Sequence, residues 1–411
     1  MANLLFLSDY YYKNASANGI CVEQIANINA KCGGQSYVIC SGNCNEICKV
    51  CENEIKISFI KRSLYRKIYD YASMSKFSFV KQISNLITHV LKFVYIWKYP
   101  MIEPRAIYKY VNIGEKIIKS VRIDTIVAQY KPIEVVLAAN KLKSLHPEIR
   151  YVFYSLDSLT SEGGNGLLPI SFRNKACLKL EKIALKTADC SIFMNCSKAH
   201  YQNDVYLSYN SKMYFADNPL LSYQIYQKSK EIDMKSIVFA GTLNKGIRNP
   251  ERALQILLPL MKNKKLHLFT HGDCNDIISK YQMKYPGIIE NHGFVKHEEV
   301  MHAIYSAGFL LSIGNINSSM NPSKIYEYIS TGKTIIHVYS DKNDPCLEIL
   351  KKYNNIILIN SNDARIDEQE ISRQLNTNYN REQYLEIGEK YFMADPQYTY
   401  NIIQNISNKN M

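Results

Sequence analysis

Short apolar runs recur along the chain, each followed by a polar or glycine-bearing turn and then by apolar residues spaced three and four apart. Leu4 to Ser8 is the first run and predicts a strand; Ile20, Val22, Ile25 and Ile28 follow at helical spacing. Gly33 and Gly34 stop that helix, and Ser36 to Cys40 is the next apolar run. Strand, helix and strand with short connections predict a parallel, right-handed unit. The pattern goes on with a strand over Asp124–Gln129, a helix over Ile133–Ser144 and a strand over Tyr151–Tyr154. A long amphipathic helix over Phe172–Ala188 and strands over Cys190–Met194 and Lys212–Phe215 complete a first series, with Asn195 or Ser197 capping a helix between those strands. Asn218-Pro219 marks a crossing to a second series, which opens at Ser236–Ala240. It continues through His267–Thr270, Asn291–Phe294, Phe309–Ile313, Thr334–Val338 and Ile356–Ile359, with helices over Glu298–Ser306, Pro345–Lys352 and Glu382–Phe392 between or after them. The expectation is an α/β protein of two domains, 1–217 and 218–385, with a closing segment 386–411. A chain of 411 residues is long for one domain and comfortable for two.

The run from Phe309 to Tyr339 reads as strand, polar loop, helix, glycine stop and strand. Pro322 suits a first helical position, Asn321 an N-cap, and Gly332 the end of the helix. A helix start offers unpaired N–H groups and the positive end of the dipole, so it favours phosphate. Ser323 adds a hydroxyl and Lys324 a full charge. Glu327 lies one turn on, where a carboxylate can accept both hydroxyls of a ribose. A solvated Lys–Glu pair on an ordinary helix explains the same residues, and both readings stand. A second anion site is expected in SIVFAGTLNKGIRN, where an apolar strand runs into Gly241-Thr242 and a basic loop. Arg248 can grip a diphosphate with two parallel hydrogen bonds, and Lys245 supplies a point charge. The alternative there is a solvated basic loop.

The motif P-S-K-x-x-E-Y-x-x-x-G-K-x-I-I over Pro322–Ile336 resembles the donor-site helix of family-4-like glycosyltransferases of the GT-B fold. The resemblance implies two Rossmann-like domains facing across a cleft, with the final helices, here in ADPQYTYNIIQNI, crossing back to the first domain. It implies Glu327 on the nucleotide ribose and Ser323 and Lys324 near the phosphates. Gly241, Thr242, Lys245 and Arg248 then serve the diphosphate. NHGFV resembles the short strand whose loop meets the base, which puts Phe294 beside it. The first loop of that family faces the cleft, so Asn18 and Gly19 would approach the donor phosphates; a turn needing a flexible residue accounts for Gly19 as well. Asp157, beyond the carboxyl end of a strand, would touch donor sugar or acceptor, or act as a turn or N-cap residue. The sequence departs from the family at Met320, where many members carry a Glu that contacts the donor sugar. No carboxylate pair is dedicated to a divalent metal, and the resemblance also implies metal-independent transfer, with retention of configuration and no cofactor beyond the nucleotide-diphosphate sugar.

Composition sharpens the setting. The start, MANLLFLSDYYYKN, lacks a basic flank and its apolar run is too short for a signal peptide. The expectation is a cytoplasmic protein whose eleven cysteines are reduced thiols. Cys40, Cys44, Cys48 and Cys51 crowd together, but their spacing is not a common zinc pattern; a Cys-rich loop is the plainer reading and a metal site the alternative. The net charge is +13, and Lys56–Lys119 carries thirteen basic against three acidic residues. That bias suggests an anionic partner. Nucleic acid is disfavoured because no helix-turn-helix, finger or RNP pattern accompanies it. Phe77–Trp97 repeats apolar residues at helical spacing; its lysines and polar residues argue against a membrane span. A buried helix is the favoured reading and an interfacial helix the other, with Arg62, Arg66, Lys67, Lys76 and Lys98 as lipid-facing bases. Gly163–Gly166 (GGNG) suggests a loop that orders on acceptor binding. The expected function is transfer of a sugar from a nucleotide-diphosphate sugar to a glycan or lipid-linked glycan, in surface polysaccharide synthesis at the inner membrane face. The alternatives are a nucleotide-sugar epimerase of the same fold and a non-catalytic nucleotide-sugar-binding subunit.

Overall fold

The structure is a computed structural model that describes residues 2–9, 11, 17–42, 50–52, 55–61, 86–87, 90, 99–100, 102–160, 168–230, 232–261, 263–316, 323–363, 365–377 and 380–408. The chain forms two compact units, Met1–Pro219 with Pro396–Met411, and Leu220–Asp395.

The first unit holds an eight-stranded sheet in the order β3-β4-β2-β1-β5-β6-β7-β8. Its strands are β1 (Leu4–Leu7), β2 (Ser36–Gly42), β3 (Val50–Glu52), β4 (Ile55–Lys61), β5 (Thr125–Tyr130), β6 (Arg150–Ser155), β7 (Cys190–Met194) and β8 (Met213–Ala216). β3 alone runs antiparallel, against β4. β1 pairs in parallel with β2 on one side and β5 on the other, so the strand order reverses there. All residues of β1, β5 and β7 are buried. Helices cover both faces of a parallel sheet, which is why these strands read as unbroken apolar runs rather than alternating ones.

The helices include α1 (Ala17–Lys31), α2 (Pro104–Ser120), α3 (Ile133–Leu145), α4 (Ile170–Thr187) and the short α5 (Lys198–Tyr201). β3, β4 and α2 were not foreseen in the sequence. The structure also corrects the start of the first helix. It begins at Ala17, so Asn18 and Gly19 sit in its first turn and not in the loop before it. Small polar residues are tolerated there because the first-turn N–H groups need no intrahelical partner.

The second unit holds a six-stranded parallel sheet, β11-β10-β9-β12-β13-β14. These strands are β9 (Asp233–Leu243), β10 (Lys265–Gly272), β11 (Ile289–Asn291), β12 (Ala307–Ile313), β13 (Thr334–Tyr339) and β14 (Ile356–Asn360). The order reverses between β9 and β12. Helices α6 (Tyr223–Lys228), α7 (Glu251–Leu257), α8 (Asn275–Lys284), α9 (His297–Ser306), α10 (Lys324–Ser330), α11 (Pro345–Leu350), α12 (Glu368–Asn376) and α13 (Tyr384–Lys390) accompany it. Gly332 ends α10 at φ +72°, where a Cβ would lie 2.6 Å from the carbonyl oxygen of Glu382, so the glycine stop is required twice over. The next residue, Lys333, is buried and donates to the carbonyls of Tyr305 (2.5 Å) and Ala307 (2.7 Å), closing the C-terminal end of α9.

The chain then returns to the first unit as α14 (Pro396–Ser407). Its buried residues Thr399, Ile402, Ile403 and Ile406 form a single stripe. Burial of an isoleucine is worth about 1.5–3 kcal/mol, so this stripe is a substantial anchor. Ser407 Oγ also meets Thr125 Oγ1 of β5 at 2.7 Å. The Tyr-rich tail therefore braces the first unit as a helix.

Several expectations fall outside the described residues: Asn321 and Pro322 as helix starters, Met320, the GGNG loop, Cys44 and Cys48 of the cysteine cluster, and Arg62, Arg66, Lys67, Lys76 and Lys98. Among residues 77–97, only Leu86, Ile87 and Val90 are described; all three are helical and exposed. Leu86 and Val90 belong to the apolar stripe, so at these positions it is not the buried face that was favoured. No helix among the described residues is long and apolar enough to cross a membrane.

Candidate functional site

In open α/β sheets, ligands gather beyond the carboxyl ends of the strands where the strand order reverses. In the second unit that place lies past β9 and β12. β9 ends through Gly241 and Thr242 into a turn closed by paired bonds, Asn244 N to Arg248 O (3.1 Å) and Arg248 N to Asn244 O (2.7 Å). The turn folds Arg248 back over the strand end. Its Nε donates to Asn315 Oδ1 beyond β12 (3.1 Å), and its Nη1 reaches the Thr242 carbonyl at 3.4 Å. A main-chain bond from Ile316 N to Ile247 O (2.7 Å) joins the same two loops. Arg248 therefore spans the point of reversal. A Cβ at Gly241 would press on its Nη1 at 3.3 Å, so glycine makes room for the guanidinium. Burial pulls the Arg248 pKa down, offset by Cys346, Tyr328 and Asp344 nearby. The group stays a cation, because arginine starts so far above neutrality.

α10 is tied to the same strand end. Tyr328, buried on that helix, accepts a hydrogen bond at Oη from Ala240 N (2.8 Å). Glu327 beside it is only 4% exposed, so its carboxylate is nearly out of water. Lys324 Nζ stands 2.7 Å from Glu327 Oε2. This is a close ion pair whose ammonium is not aligned as a hydrogen bond, and Oε2 has no other bonding partner among the described residues. The pair lies on one face of α10, as the three-residue spacing required. Ser323 precedes the helix and its hydroxyl does not cap it. His297 and Tyr305 of α9 flank the pair. Burial and then Lys324 lower the His297 pKa, while burial and Glu327 raise that of Tyr305.

Lys245 behaves differently. Its Nζ is bound 2.7 Å from Asp276 and its main-chain N donates to Asp273 Oδ1 (2.8 Å). It points toward the start of α8, not into the Arg248 cluster, because HGDCND supplies two acids there. Phe294 lies in the loop past β11, which ends at Asn291, and is 68% exposed. Its ring meets His271 edge-on at 5.3 Å, and His271 Nε2 in turn meets Thr242 Oγ1 at 3.0 Å. His271 thus links two expected site residues that the sequence left apart.

In the first unit, Asp157 lies past the carboxyl end of β6, with Lys131 Nζ 3.5 Å from its Oδ2. Nearby, Glu181 of α4 is fully buried. Its Oε1 accepts from Tyr201 Oη (2.7 Å) and its Oε2 from Tyr206 Oη (2.6 Å). Burial raises its pKa against those hydrogen bonds. His200 Nε2 approaches Thr160 Oγ1 at 2.8 Å and Tyr206 Oη at 3.1 Å, and burial lowers its pKa.

No protein-family model matches the chain, and no curated protein matches it. Solved structures do. The α,α-trehalose-phosphate synthase (UDP-forming) from Burkholderia xenovorans aligns with a TM-score of 0.61 at 9% identity, over 99% of this chain and 100% of that one. The N-terminal domain of trehalose-6-phosphate phosphatase from Candida albicans aligns with a TM-score of 0.61 at 15% identity, over 99% and 97%. HepE from Anabaena, in complex with UDP and glucose, aligns with a TM-score of 0.54 at 12% identity, over 100% and 99%.

The fold is GT-B. At these identities the likeness establishes the architecture, and the chemistry has to be argued from this chain's own residues.

Among those residues the sequence reading missed Asn315, Tyr328, His297, Tyr305 and His271. Tyr328 stands beside Glu327 in the P-S-K-x-x-E-Y motif, which is the signal that could have found it.

Proposed function

We propose that this chain is a glycosyltransferase that moves a sugar from a nucleotide-diphosphate sugar to a glycan or lipid-linked glycan. The observation that carries the reading is Arg248 at the reversal point of the second sheet. Among the described residues, two of its five N–H donors are engaged, which leaves a planar fork for a diphosphate. Gly241 and Thr242 bring main chain to the phosphates, and Ser323 and Lys324 approach from the start of α10. Glu327, buried a turn into that helix, takes the two ribose hydroxyls, and Phe294 lies along the base. Lys245 contributes long-range charge only.

In the reaction the bond from the anomeric carbon to the diphosphate oxygen breaks, and the acceptor oxygen bonds to that carbon. The acceptor proton ends on the departing phosphate. Arg248 and Lys324 stabilise the charge that grows on the leaving group. We assign Asp157 to the acceptor hydroxyl, and Asn18 and Gly19, in the first turn of α1, to the donor phosphates. We assign retention of configuration and no requirement for a metal or other cofactor in this step.

The acceptor is assigned to the inner membrane face, in surface polysaccharide synthesis, with the protein cytoplasmic and peripherally bound. Exposed Leu86, Ile87 and Val90, together with exposed Arg105, Tyr108, Lys116 and Lys119 on α2, supply apolar contact and basic charge for an anionic surface.

The test is a thermal-shift screen of nucleoside diphosphates and nucleotide sugars. One diphosphate should stabilise the protein and its sugar conjugate should serve as donor. A chain stabilised by none, or whose Arg248→Ala variant responds equally, removes the assignment. Release of free nucleotide only when acceptor is present distinguishes transfer from epimerisation.

A further inference from the structure

β10 and β11 form the edge of the second sheet, and their outward face is unusual. Successive residues of a strand alternate faces, so Lys265, His267, Phe269 and His271 share one side of β10. Leu266, Leu268 and Thr270 on the other side are buried. The parallel register sets His267 beside Glu290, and Asn291 beside Leu268. His292 N donates to the Leu268 carbonyl (2.9 Å), which continues the pairing by one residue. Glu290 and His292 are two apart and therefore share the face of His267.

The side chains converge. His267 Nδ1 lies 3.1 Å from His292 Nε2 and 3.4 Å from Glu290 Oε2. All three ligand-type atoms fall within 4.8 Å of one another. A tetrahedral zinc ion with ligands at about 2.0–2.1 Å holds neighbouring ligand atoms about 3.3–3.4 Å apart. The two short separations are already close to that edge length.

We propose that His267, Glu290 and His292 form a binding site for a divalent transition metal of the zinc class. Two imidazoles and one carboxylate suit Zn2+, Co2+ or Ni2+ and not Mg2+, which prefers an all-oxygen shell. The surroundings hold the ligands in place. The His292 ring stacks on Phe269 at 4.4 Å and 6°, which fixes its orientation. Lys265 Nζ binds the other carboxylate oxygen, Glu290 Oε1, at 2.5 Å, so Oε2 faces His267. His292 is exposed, and water can complete the coordination on that side. The bound ion would clamp the edge strands at the root of the loop that carries Phe294. The site lies about 13 Å from His271 along β10, taking about 3.3 Å per residue, so it is separate from the Arg248 cluster and does not depend on the transferase reading.

The test uses the full-length protein stripped of metal, titrated with Zn2+ against a chromophoric chelator, and separately with Co2+. Wild type should take up Zn2+ at this site, and the Co2+ form should show the visible spectrum of a tetrahedral centre without thiolate charge-transfer absorption. His267→Ala and His292→Ala should each weaken that Zn2+ uptake at least tenfold, while circular dichroism stays that of wild type. No uptake by wild type, a change of less than tenfold in both variants, or a cobalt spectrum with thiolate bands only would overturn the proposal.

Discussion

The two units each bury a charged side chain beyond the carboxyl ends of their strands, and the two charges are treated in opposite ways. Glu181 in the first unit is fully enclosed and both its oxygens accept tyrosine hydroxyls, with Leu159 N adding a longer contact at 3.4 Å. Arg248 in the second unit is half-buried and uses two of its donors on Asn315 and Thr242. A buried polar group that is fully satisfied rigidifies a structure. One held in place by part of its bonding capacity is prepared for something that supplies the rest. Burial of charge alone does not mark a site, and the donors left over on Arg248 are the ground for the assignment proposed above.

The sharpest way to break that contrast is Arg248→Ala. Removing a fixed cation from developing phosphate charge is expected to lower transferase turnover by about 10²–10³-fold, close to the cost of losing one oxyanion-hole donor. Stability should be measured alongside, because the guanidinium also ties the two loops through Asn315 and Thr242. Arg248→Lys should recover part of the charge but not the fork, and so remain well below wild type. Nucleotide release with saturating acceptor is the measurement. Full activity in Arg248→Ala would place the diphosphate elsewhere.

Next in size is Glu327→Ala. Loss of a carboxylate that accepts two ribose hydroxyls should reduce kcat/KM by about 10²-fold, since each hydrogen bond to a charged group is worth about 1.5–3 kcal/mol and Lys324 loses its partner as well. A 2′-deoxy donor should show a smaller loss in the variant than in wild type, because one of those bonds is already missing. Equal losses in both would take the ribose away from Glu327.

Much of this architecture was legible because parallel strands buried on both faces leave unbroken apolar runs. Phe309–Ile313 and Cys190–Met194 are such runs, and glycine with a basic loop after Ala240 singled out Arg248 as a candidate. What was missed had a physical reason. In IKISFIK, lysines at the second and last positions made β4 read as the start of a basic segment, although Ile55, Ile57 and Phe59 are buried. α2 was hidden in the same way, since Lys and Arg occupy its solvent face while Tyr110 and Ile113 carry the core face. Lys245 was assigned to phosphate because its neighbours in sequence are glycine and arginine. Asp273 and Asp276, which occupy it in space, are set by the packing of β10 and α8 against β9. Asn315 touches the site only through such tertiary placement, and no local pattern announces it.

The other half of the contrast is sharpened at Glu181. Glu181→Leu removes the acceptor of the buried Tyr201 hydroxyl and one partner of the Tyr206 hydroxyl, which keeps His200 Nε2 at 3.1 Å, and should cost about 2 kcal/mol by urea denaturation. Turnover of the folded fraction should be unchanged. Because burial raises the folded pKa of Glu181 above its ordinary 4.5, its protonated form is the one the fold prefers. Its contribution is complete below the ordinary value and is lost as pH rises through the folded one. Wild type should therefore lose stability relative to Glu181→Gln as pH climbs above about 4.5, and a difference that stays flat would mean the carboxyl titrates in the fold as it does in water.

The smallest effect is expected at Lys245, and it decides which cation matters. Lys245 and Arg248 lie in one loop three residues apart, and composition alone treats them alike. Lys245 is exposed and already paired with Asp276, so an exposed ion pair worth roughly 0–1 kcal/mol is all that Lys245→Ala removes. Turnover should fall by less than about threefold, and what loss there is should fade with added salt as screening replaces the charge. Arg248→Ala should keep its deficit at the same ionic strength, because a half-buried guanidinium acting at contact distance is screened far less. If the two variants fell together, or if salt rescued both, the diphosphate would be held by the charge of the loop as a whole and not by the fork at the point of strand reversal.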